Sequence, residues 1–150
     1  MPQSLSKVIL HIVFSTQNRN PLILKELQDE MYSYIATICK TNKSHPIKIG
    51  GTSDHIHIAA TLPRTVTISK LLEEIKKGSS KWFKEKDERI RGFAWQCGYA
   101  AFSVSQSQLE QLVRYIEQQE LHHRKKSFQE ELREFLNNYG VEYDERYIWD

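Results

Sequence analysis

The chain has 150 residues, of which 39% are hydrophobic, and this size and composition suit one compact domain with its own core. A formal charge of +2 is too small to indicate nucleic-acid binding by itself. The two cysteines, Cys39 and Cys97, form no Cys-x-x-Cys pair, which argues against a disulfide framework and against a thiolate zinc site. The longest apolar stretch, from Val8 to Phe14, is too short to cross a bilayer, so we expect a cytoplasmic protein without membrane association.

Charge is unevenly distributed along the chain. From Arg64 to Arg91 there are nine Lys/Arg and five Asp/Glu, whereas Gln129 to Asp150 holds seven acidic and two basic residues. We therefore expect the middle of the chain to attract phosphate and the C-terminal part to repel it.

The first elements predicted are a strand, a helix and a strand pair. Val8 to Ser15 is rich in β-branched and aromatic residues, which favours a strand. Asn20-Pro21 predicts an N-cap followed by proline at the first helical position, and the apolar spacing continues the helix to about Lys40. Two strands, Pro46 to Ile49 and His55 to Leu62, flank the segment from Gly50 to Asp54, whose two glycines permit the positive φ angles of a hairpin connection.

Later patterns predict further helices and short strands. Thr67 can cap a second helix that runs to about Glu85 and is basic in its later turns. Residues 93–97 and 99–104 favour short strands with a bend at Gly98. Ser105-x-x-Gln108 and Ser127-x-x-Glu130 resemble capping boxes for a third and a fourth helix.

The β-α-β-β-α-β order is typical of an α+β protein with a ferredoxin-like antiparallel sheet and helices on one face. We expect one domain over residues 1–150, with a core at about 6–123 and an acidic helical extension at about 127–150. The apolar face of that extension comprises Phe128, Leu132, Phe135, Leu136 and Tyr139. Packing against the domain or a dimer partner is the expectation for it, and a DNA-mimicking or autoinhibitory role is the alternative.

His55-Ile56-His57 lies at the start of a predicted strand. Because side chains alternate along a strand, both imidazoles point to the same face, with Cα atoms about 7 Å apart. Two such side chains can share one metal ion. Taken alone, the pair is more often two half-exposed histidines.

The third predicted helix carries a polar row beside its apolar stripe. At about 100° per residue, Tyr115, Gln119 and His122 lie close together and away from the stripe. Taken alone, Tyr115 is more often a residue that flanks the core. Cations surround this region, interleaved with Trp82, Phe83 and Trp95, which either stack on bases or belong to the core.

Three motifs follow one another along the chain: Gly50-Gly51-Thr52-Ser53-Asp54-His55-Ile56-His57, then Trp95-Gln96-x-Gly98-Tyr99-x-x-Phe102-Ser103-Val104, then Tyr115-Ile116-x-x-Gln119-x-x-His122-His123. Together they resemble the small one-tyrosine HUH transposases of bacterial insertion sequences, including relatives associated with repetitive extragenic palindromes. The resemblance runs from about Ser6 to His123. It rests on the combination of motifs and their spacing.

The resemblance implies a metal-dependent DNA strand transferase. His55 and His57 would bind Mg²⁺ or Mn²⁺, with Gln119 as third ligand, and Tyr115 would be the nucleophile. A covalent 5′-phosphotyrosine allows the strand to be rejoined without a nucleotide cofactor. Asp54, His122 and His123 would then support the site from around it.

The resemblance also implies single-stranded DNA with a hairpin as substrate, and a homodimer in which the tyrosine acts in its own subunit or across the interface. Six residues are candidates for DNA contact: Lys76, Lys77, Lys81, Lys84, Arg114 and Arg124. Two alternatives stay open. One is a non-catalytic ferredoxin-like module that binds single strands, and the other is a domesticated nuclease that acts on genomic palindromes.

Overall fold

The computed structural model describes residues 2–123 and 125–150. Arg124, one of the candidate DNA contacts, therefore lies outside the described residues, as does Met1. Within the described ranges, no helix combines the length and the apolar character needed to cross a membrane.

One sheet is built from four strands: β1 (Ile9–Ser15), β2 (Pro46–Gly51), β3 (His55–Thr61) and β4 (Ala100–Val104). All three strand pairs are antiparallel, and the order across the sheet is β2-β3-β1-β4. Helix α1 (Gln28–Thr41) connects β1 to β2, and α2 (Ile68–Lys86) lies between β3 and β4. The predicted α+β, ferredoxin-like fold is confirmed.

The alternation of side chains gives the sheet two different faces. Leu10, Ile12 and Phe14 of β1 point toward α1 and α2 and form the main core with Ile56 and Ile58 of β3. This layer of two helices on the sheet follows directly from the apolar spacing of the sequence.

The opposite face of the sheet is covered by three further helices: α3 (Leu109–Glu117), α4 (Gln119–His122) and α5 (Phe128–Asn138). Val13 and Phe102 on this face pack against Phe128, Leu132 and Leu136 of α5 in a second apolar cluster. The acidic extension therefore packs on its own domain as a third layer.

The predicted start of the first helix at Asn20-Pro21 is wrong. A single 3-10 turn at Lys25–Leu27 precedes α1, which begins at Gln28. Long-range hydrogen bonds hold the preceding segment extended, because Thr16 N donates to Asp54 O at 2.8 Å and Ile23 N donates to Ser53 O at 2.9 Å. These tertiary bonds outweigh the local capping signal.

Residues 93–97 form no named strand, which corrects the prediction made for them. Trp95 makes one isolated antiparallel bridge with Thr16. Two backbone bonds flank this bridge, since Gln17 N donates to Ala94 O and Gln96 N donates to Ser15 O, each at 2.9 Å. The Ser15 N–H instead donates to the side-chain Oε1 of Gln96 at 2.8 Å, so it is not available to extend a regular ladder.

Two of the four predicted helix caps are confirmed. The hydroxyl of Thr67 accepts from Lys70 N, and that of Ser127 accepts from Glu130 N. Ser105 does not cap α3, because a 3-10 turn over Gln106–Gln108 intervenes.

Candidate metal and nucleophile site

Strand β3 places the rings of His55 and His57 on the same face of the sheet, and both side chains are fully buried. His55 Nδ1 lies 2.7 Å from Asp54 Oδ1, and its Nε2 lies 3.0 Å from Gln119 Oε1. His57 Nδ1 lies 2.7 Å from His11 Nε2. A partner on Nδ1 fixes each ring and leaves Nε2 directed at a common point, as in metal-binding histidines.

The helix that carries Tyr115 rests directly on the neighbouring strand. Gly50 is the cross-strand partner of His57, and a Cβ atom on it would lie 2.8 Å from the carbonyl oxygen of Ile116. The predicted hairpin of β2 and β3 is confirmed, with residues 52–54 as its connection. The positive φ angles predicted for the glycines are wrong, because Gly50 and Gly51 lie within β2 and neither has a positive φ. Gly50 instead permits α3 to approach the sheet.

This approach brings Tyr115 to the histidines of its own chain. Its ring centroid lies 5.7 Å from that of His57 and 4.6 Å from that of His122, on which it stacks. The helix breaks after Tyr115, because Gln118 (φ −100°, ψ 18°) separates α3 from α4. Gln119 is nevertheless buried and reaches His55.

Glu131 of α5 is a site residue that the sequence analysis missed. It is only 3% exposed, and its Oε1 lies 2.9 Å from His57 Nε2 and 3.6 Å from His55 Nε2. Its Oε2 accepts a hydrogen bond from the Tyr115 hydroxyl. The signal available was its position three residues after Phe128, which places a carboxylate on the apolar face of an amphipathic helix.

The two histidines expected to support the site from outside behave differently. His122 stacks on Tyr115, whereas His123 packs on His55 with ring centroids 4.3 Å apart. His123 Nε2 lies 3.2 Å from Glu131 Oε1. This nitrogen is buried and, apart from this close approach to Glu131, makes no hydrogen bond to the residues that the structure describes. His123 is therefore a candidate ligand in its own right.

Burial and charge shift the pKa values in the site. Burial lowers the pKa of His57 to about 4, although Glu131 opposes this shift. Burial by itself would raise the pKa of Glu131, but the nearby rings of His123 and His57 hold it well below the ordinary value. Burial, followed by the charge of Glu131, raises the pKa of Tyr115. The tyrosine is therefore held protonated in the absence of a metal.

The donor set fits a divalent ion. His55, His57, His123 and Glu131 each offer one ligand atom, and these atoms all lie within 4.8 Å of one another. Octahedral ligands on adjacent vertices of a Mg²⁺ site are about 3 Å apart. The separations of 2.9 Å from His57 Nε2 to Glu131 and 3.0 Å from His55 Nε2 to Gln119 match that spacing.

The basic helix lies on the far side of the sheet from this site. Lys77, Lys81 and Lys84 are exposed on α2, which packs against the face of Ile12 and Ile58. The structure does not bring these lysines to the histidines. Phe83 and Trp95 belong to the main core, and Trp82 packs against it, so none of the three interleaved aromatic side chains forms an open stacking platform.

Lys76 differs from the other lysines of α2. Its ammonium group donates to the carbonyl oxygens of Gln96, Cys97 and Gly98 at 2.9, 3.2 and 2.6 Å. Burial lowers its pKa to about 8. With all three donors engaged, Lys76 holds the 96–98 loop, and its contact with DNA stays a prediction.

A cleft of about 1000 Å³ leads to the tyrosine, and both Tyr115 and Glu131 line it. Arg114, Lys125 and Lys126 also line this cleft. Arg114 is exposed and pairs with Glu110 at 3.2 Å. Of the cations predicted to contact DNA, Arg114 is the one that the described structure places beside Tyr115.

A model of the family described as "Transposase IS200 like" matches residues 4–119. This match covers His55, His57, Tyr115 and Gln119 and stops before α5. No curated protein sequence matches the chain.

Two solved structures share the fold. A predicted transposase from Deinococcus radiodurans R1 is 20% identical with a TM-score of 0.61, and the alignment covers 79% of this chain and 98% of that one. A REP-associated tyrosine transposase bound to a REP hairpin is 17% identical with a TM-score of 0.60, over 82% of this chain and 73% of that one.

Proposed function

We propose that this chain, which belongs to the IS200-like transposase family, cleaves and rejoins single-stranded DNA with Tyr115 as nucleophile and a divalent ion, Mg²⁺ or Mn²⁺, held by His55, His57 and Gln119. The observation that carries the proposal is the meeting of the Tyr115 hydroxyl and both imidazoles in one buried cluster. The cluster is formed within a single chain.

The chemistry is an exchange of phosphate esters. Attack by the Tyr115 oxygen on phosphorus forms a tyrosine–phosphate bond and breaks the bond to the 3′ oxygen, which leaves as a 3′ hydroxyl. When bound, the ion supplies positive charge to the non-bridging phosphate oxygens. In the attack the Tyr115 hydroxyl gives its proton to Glu131 Oε2, which accepts its hydrogen bond, and the departing 3′ oxygen takes a proton from water. A second 3′ hydroxyl can reverse the exchange, so no nucleotide cofactor is needed.

We propose a DNA strand next to a hairpin as the substrate. Family membership supports this choice, and one structural neighbour was solved with a REP hairpin. The cleft beside Tyr115 would take the single strand, with Arg114, Lys125 and Lys126 along its phosphates. Either an element end or a genomic palindrome would satisfy this geometry.

We also propose a homodimer, as the family resemblance implies. Because Tyr115 already lies against His57 of its own chain, the tyrosine would act within its subunit. Dimerisation would then serve to bring two DNA ends together.

The test is formation of a covalent protein–DNA adduct. Purified protein is incubated with single-stranded hairpin oligonucleotides and Mn²⁺, and the adduct is resolved by denaturing electrophoresis. We expect Tyr115→Phe to abolish the adduct while DNA binding persists, because only the attacking oxygen is removed. Tyr147→Phe, which changes an exposed tyrosine of the tail, is the matched control.

His57→Ala should abolish the adduct, and added Mn²⁺ should not restore it. An adduct that persists in Tyr115→Phe would refute the assignment of the nucleophile. If wild-type protein binds hairpin DNA but forms no adduct with any of the oligonucleotides, the non-catalytic binding module is the better description.

A further inference from the structure

We infer that Glu131 is a ligand of the divalent ion, supplied by a helix that lies outside the residues matched to the family. This inference rests on the proposed metal site at His55 and His57. It assigns to α5 a part in metal binding in addition to its role in packing.

The charge and hardness of the ligand set favour Glu131 as a ligand. Histidine ligands bind metals as neutral imidazoles, and the side chain of Gln119 is a neutral amide. Mg²⁺ and Mn²⁺ prefer oxygen ligands and are commonly bound through carboxylates. His55, His57 and Gln119 alone would provide no anionic ligand, and Glu131 adds one within 4 Å of both histidines.

The carboxylate of Glu131 is buried among imidazoles. Glu131 is only 3% exposed, and its ion-pair partners in the described part of the chain are His55, His57 and His123. Placing a carboxylate in such a site is unfavourable unless a charge compensates for the lost hydration. A divalent ion between the three rings and the carboxylate provides that charge.

The two carboxylate oxygens of Glu131 face different groups. Oε1 faces the imidazole nitrogens, at 2.9 Å from His57 Nε2, and Oε2 accepts from the Tyr115 hydroxyl. The single carboxylate of Glu131 would therefore link a bound ion to the attacking oxygen of Tyr115. No other side chain of the described residues contacts both groups through a charged oxygen.

The position of Glu131 is fixed by the packing of α5. Ser127 caps the helix, and Phe128, Leu132 and Leu136 bury its apolar side against Val13 and Phe102. Glu131 lies on that buried side, between Phe128 and Leu132. It is therefore presented to the histidines by a rigid element, as an effective ligand requires.

Metal affinity measured without DNA tests the inference directly. We would titrate MnCl₂ into wild-type protein and into three variants by isothermal calorimetry: Glu131→Gln, Glu130→Gln and His57→Ala. Glu131→Gln keeps the shape of the side chain and removes its charge. Glu130→Gln makes the same change at the adjacent residue, which is exposed. Circular dichroism of the metal-free variants checks that each is folded.

We expect Glu131→Gln to raise the Kd for Mn²⁺ by at least about tenfold, since changes around metal ligands typically weaken binding by about 10–100-fold. Glu130→Gln should leave the Kd unchanged. If the amide disturbs folding, Glu131→Asp, which keeps the charge on a shorter stem, should weaken Mn²⁺ binding less than Glu131→Gln.

Three outcomes separate this inference from the proposed function. Weakened binding in Glu131→Gln and His57→Ala supports both. Weakened binding in His57→Ala with unchanged or tighter binding in Glu131→Gln overturns the role of Glu131, because its carboxylate would then merely occupy the site that the ion or a phosphate takes. Absence of Mn²⁺ binding in the wild-type protein would refute the metal site itself.

Discussion

The ring of His57 is held at both of its nitrogens. His11 lies 2.7 Å from Nδ1, and Glu131 lies 2.9 Å from Nε2. His11 comes from β1, is buried on the same face of the sheet, and fixes the ring orientation of its neighbour. We regard it as a positioning residue, comparable to the partners that orient metal-binding histidines in other proteins.

These buried histidines should make the metal-free protein sensitive to acid. Burial, followed by the nearby His57, lowers the pKa of His11 to about 3, and burial lowers that of His57 to about 4. Below the unfolded-state pKa of about 6.5, the unfolded chain binds protons that the folded chain does not, so stability falls as the pH falls. We expect the Tm of the metal-free protein to decrease from pH 7 to pH 4.

The variant His11→Gln should show a shallower decrease of Tm over that range, because one of the two groups no longer titrates. His45→Gln, which changes an exposed histidine, is the control. Thermal unfolding followed by circular dichroism gives the slopes. Equal slopes for wild-type protein and His11→Gln would contradict this account.

At the residue scale, the sequence could identify the residues that lie in motifs. The spacing of these motif residues predicts that they share one site, and the structure brings all four together. They are His55, His57, Tyr115 and Gln119. Glu131 and His11 were not found, because each reaches His57 through packing across 74 and 46 residues of sequence. No local pattern records such a contact.

At the scale of elements, the position of α3 depends on Gly50. The helix contacts β2 and β3, and its Ile116 fills the space that a side chain at Gly50 would need. Tyr115 precedes Ile116 on this helix, so its hydroxyl can lie at the histidines only while α3 stays close to the sheet.

Gly50→Ala should therefore displace the tyrosine helix. We expect destabilisation of about 1–3 kcal/mol, typical of overpacking, together with a marked loss of adduct formation. Binding of Mn²⁺ should be less affected than cleavage, because the histidines belong to β3. Chemical denaturation and the adduct assay measure the two effects.

The control for this substitution is Gly92→Ala. A Cβ atom at Gly92 would meet nothing within 4 Å, so the added methyl group is tolerated. If Gly50→Ala were as stable and as active as Gly92→Ala, the close approach of α3 would not be needed.

The elements that the sequence predicted well are those with long apolar periodicity. The bounds of β3 and α2 came within two residues of the prediction, because many side chains define each pattern. The predicted start of α1 and the strand predicted at residues 93–97 were wrong, since hydrogen bonds from Thr16 to Asp54 and from Ser15 to Gln96 determine these segments. Such bonds depend on the folded sheet and leave no trace in local propensity.

At the scale of the whole molecule, the site is formed between two layers. The sheet contributes His11, His55 and His57, and the helices on its second face contribute Tyr115, Gln119 and Glu131. The ferredoxin-like sheet follows from the order of the predicted elements. The seating of α5 on the histidines does not, because an amphipathic helix shows that a surface is covered and does not show which surface.

In the assembled site Tyr115 is the proposed nucleophile, and the chemical identity of the adduct shows which residue attacks the DNA. Trypsin would cut the purified protein–DNA adduct after Arg114 and Arg124, which isolates residues 115–124 with Tyr115 as their single tyrosine. After nuclease trimming, mass spectrometry locates the remaining nucleotide. We predict a 5′-phosphotyrosine on this peptide at Tyr115. A nucleotide attached to any other peptide, or to a histidine of this one, would contradict the account.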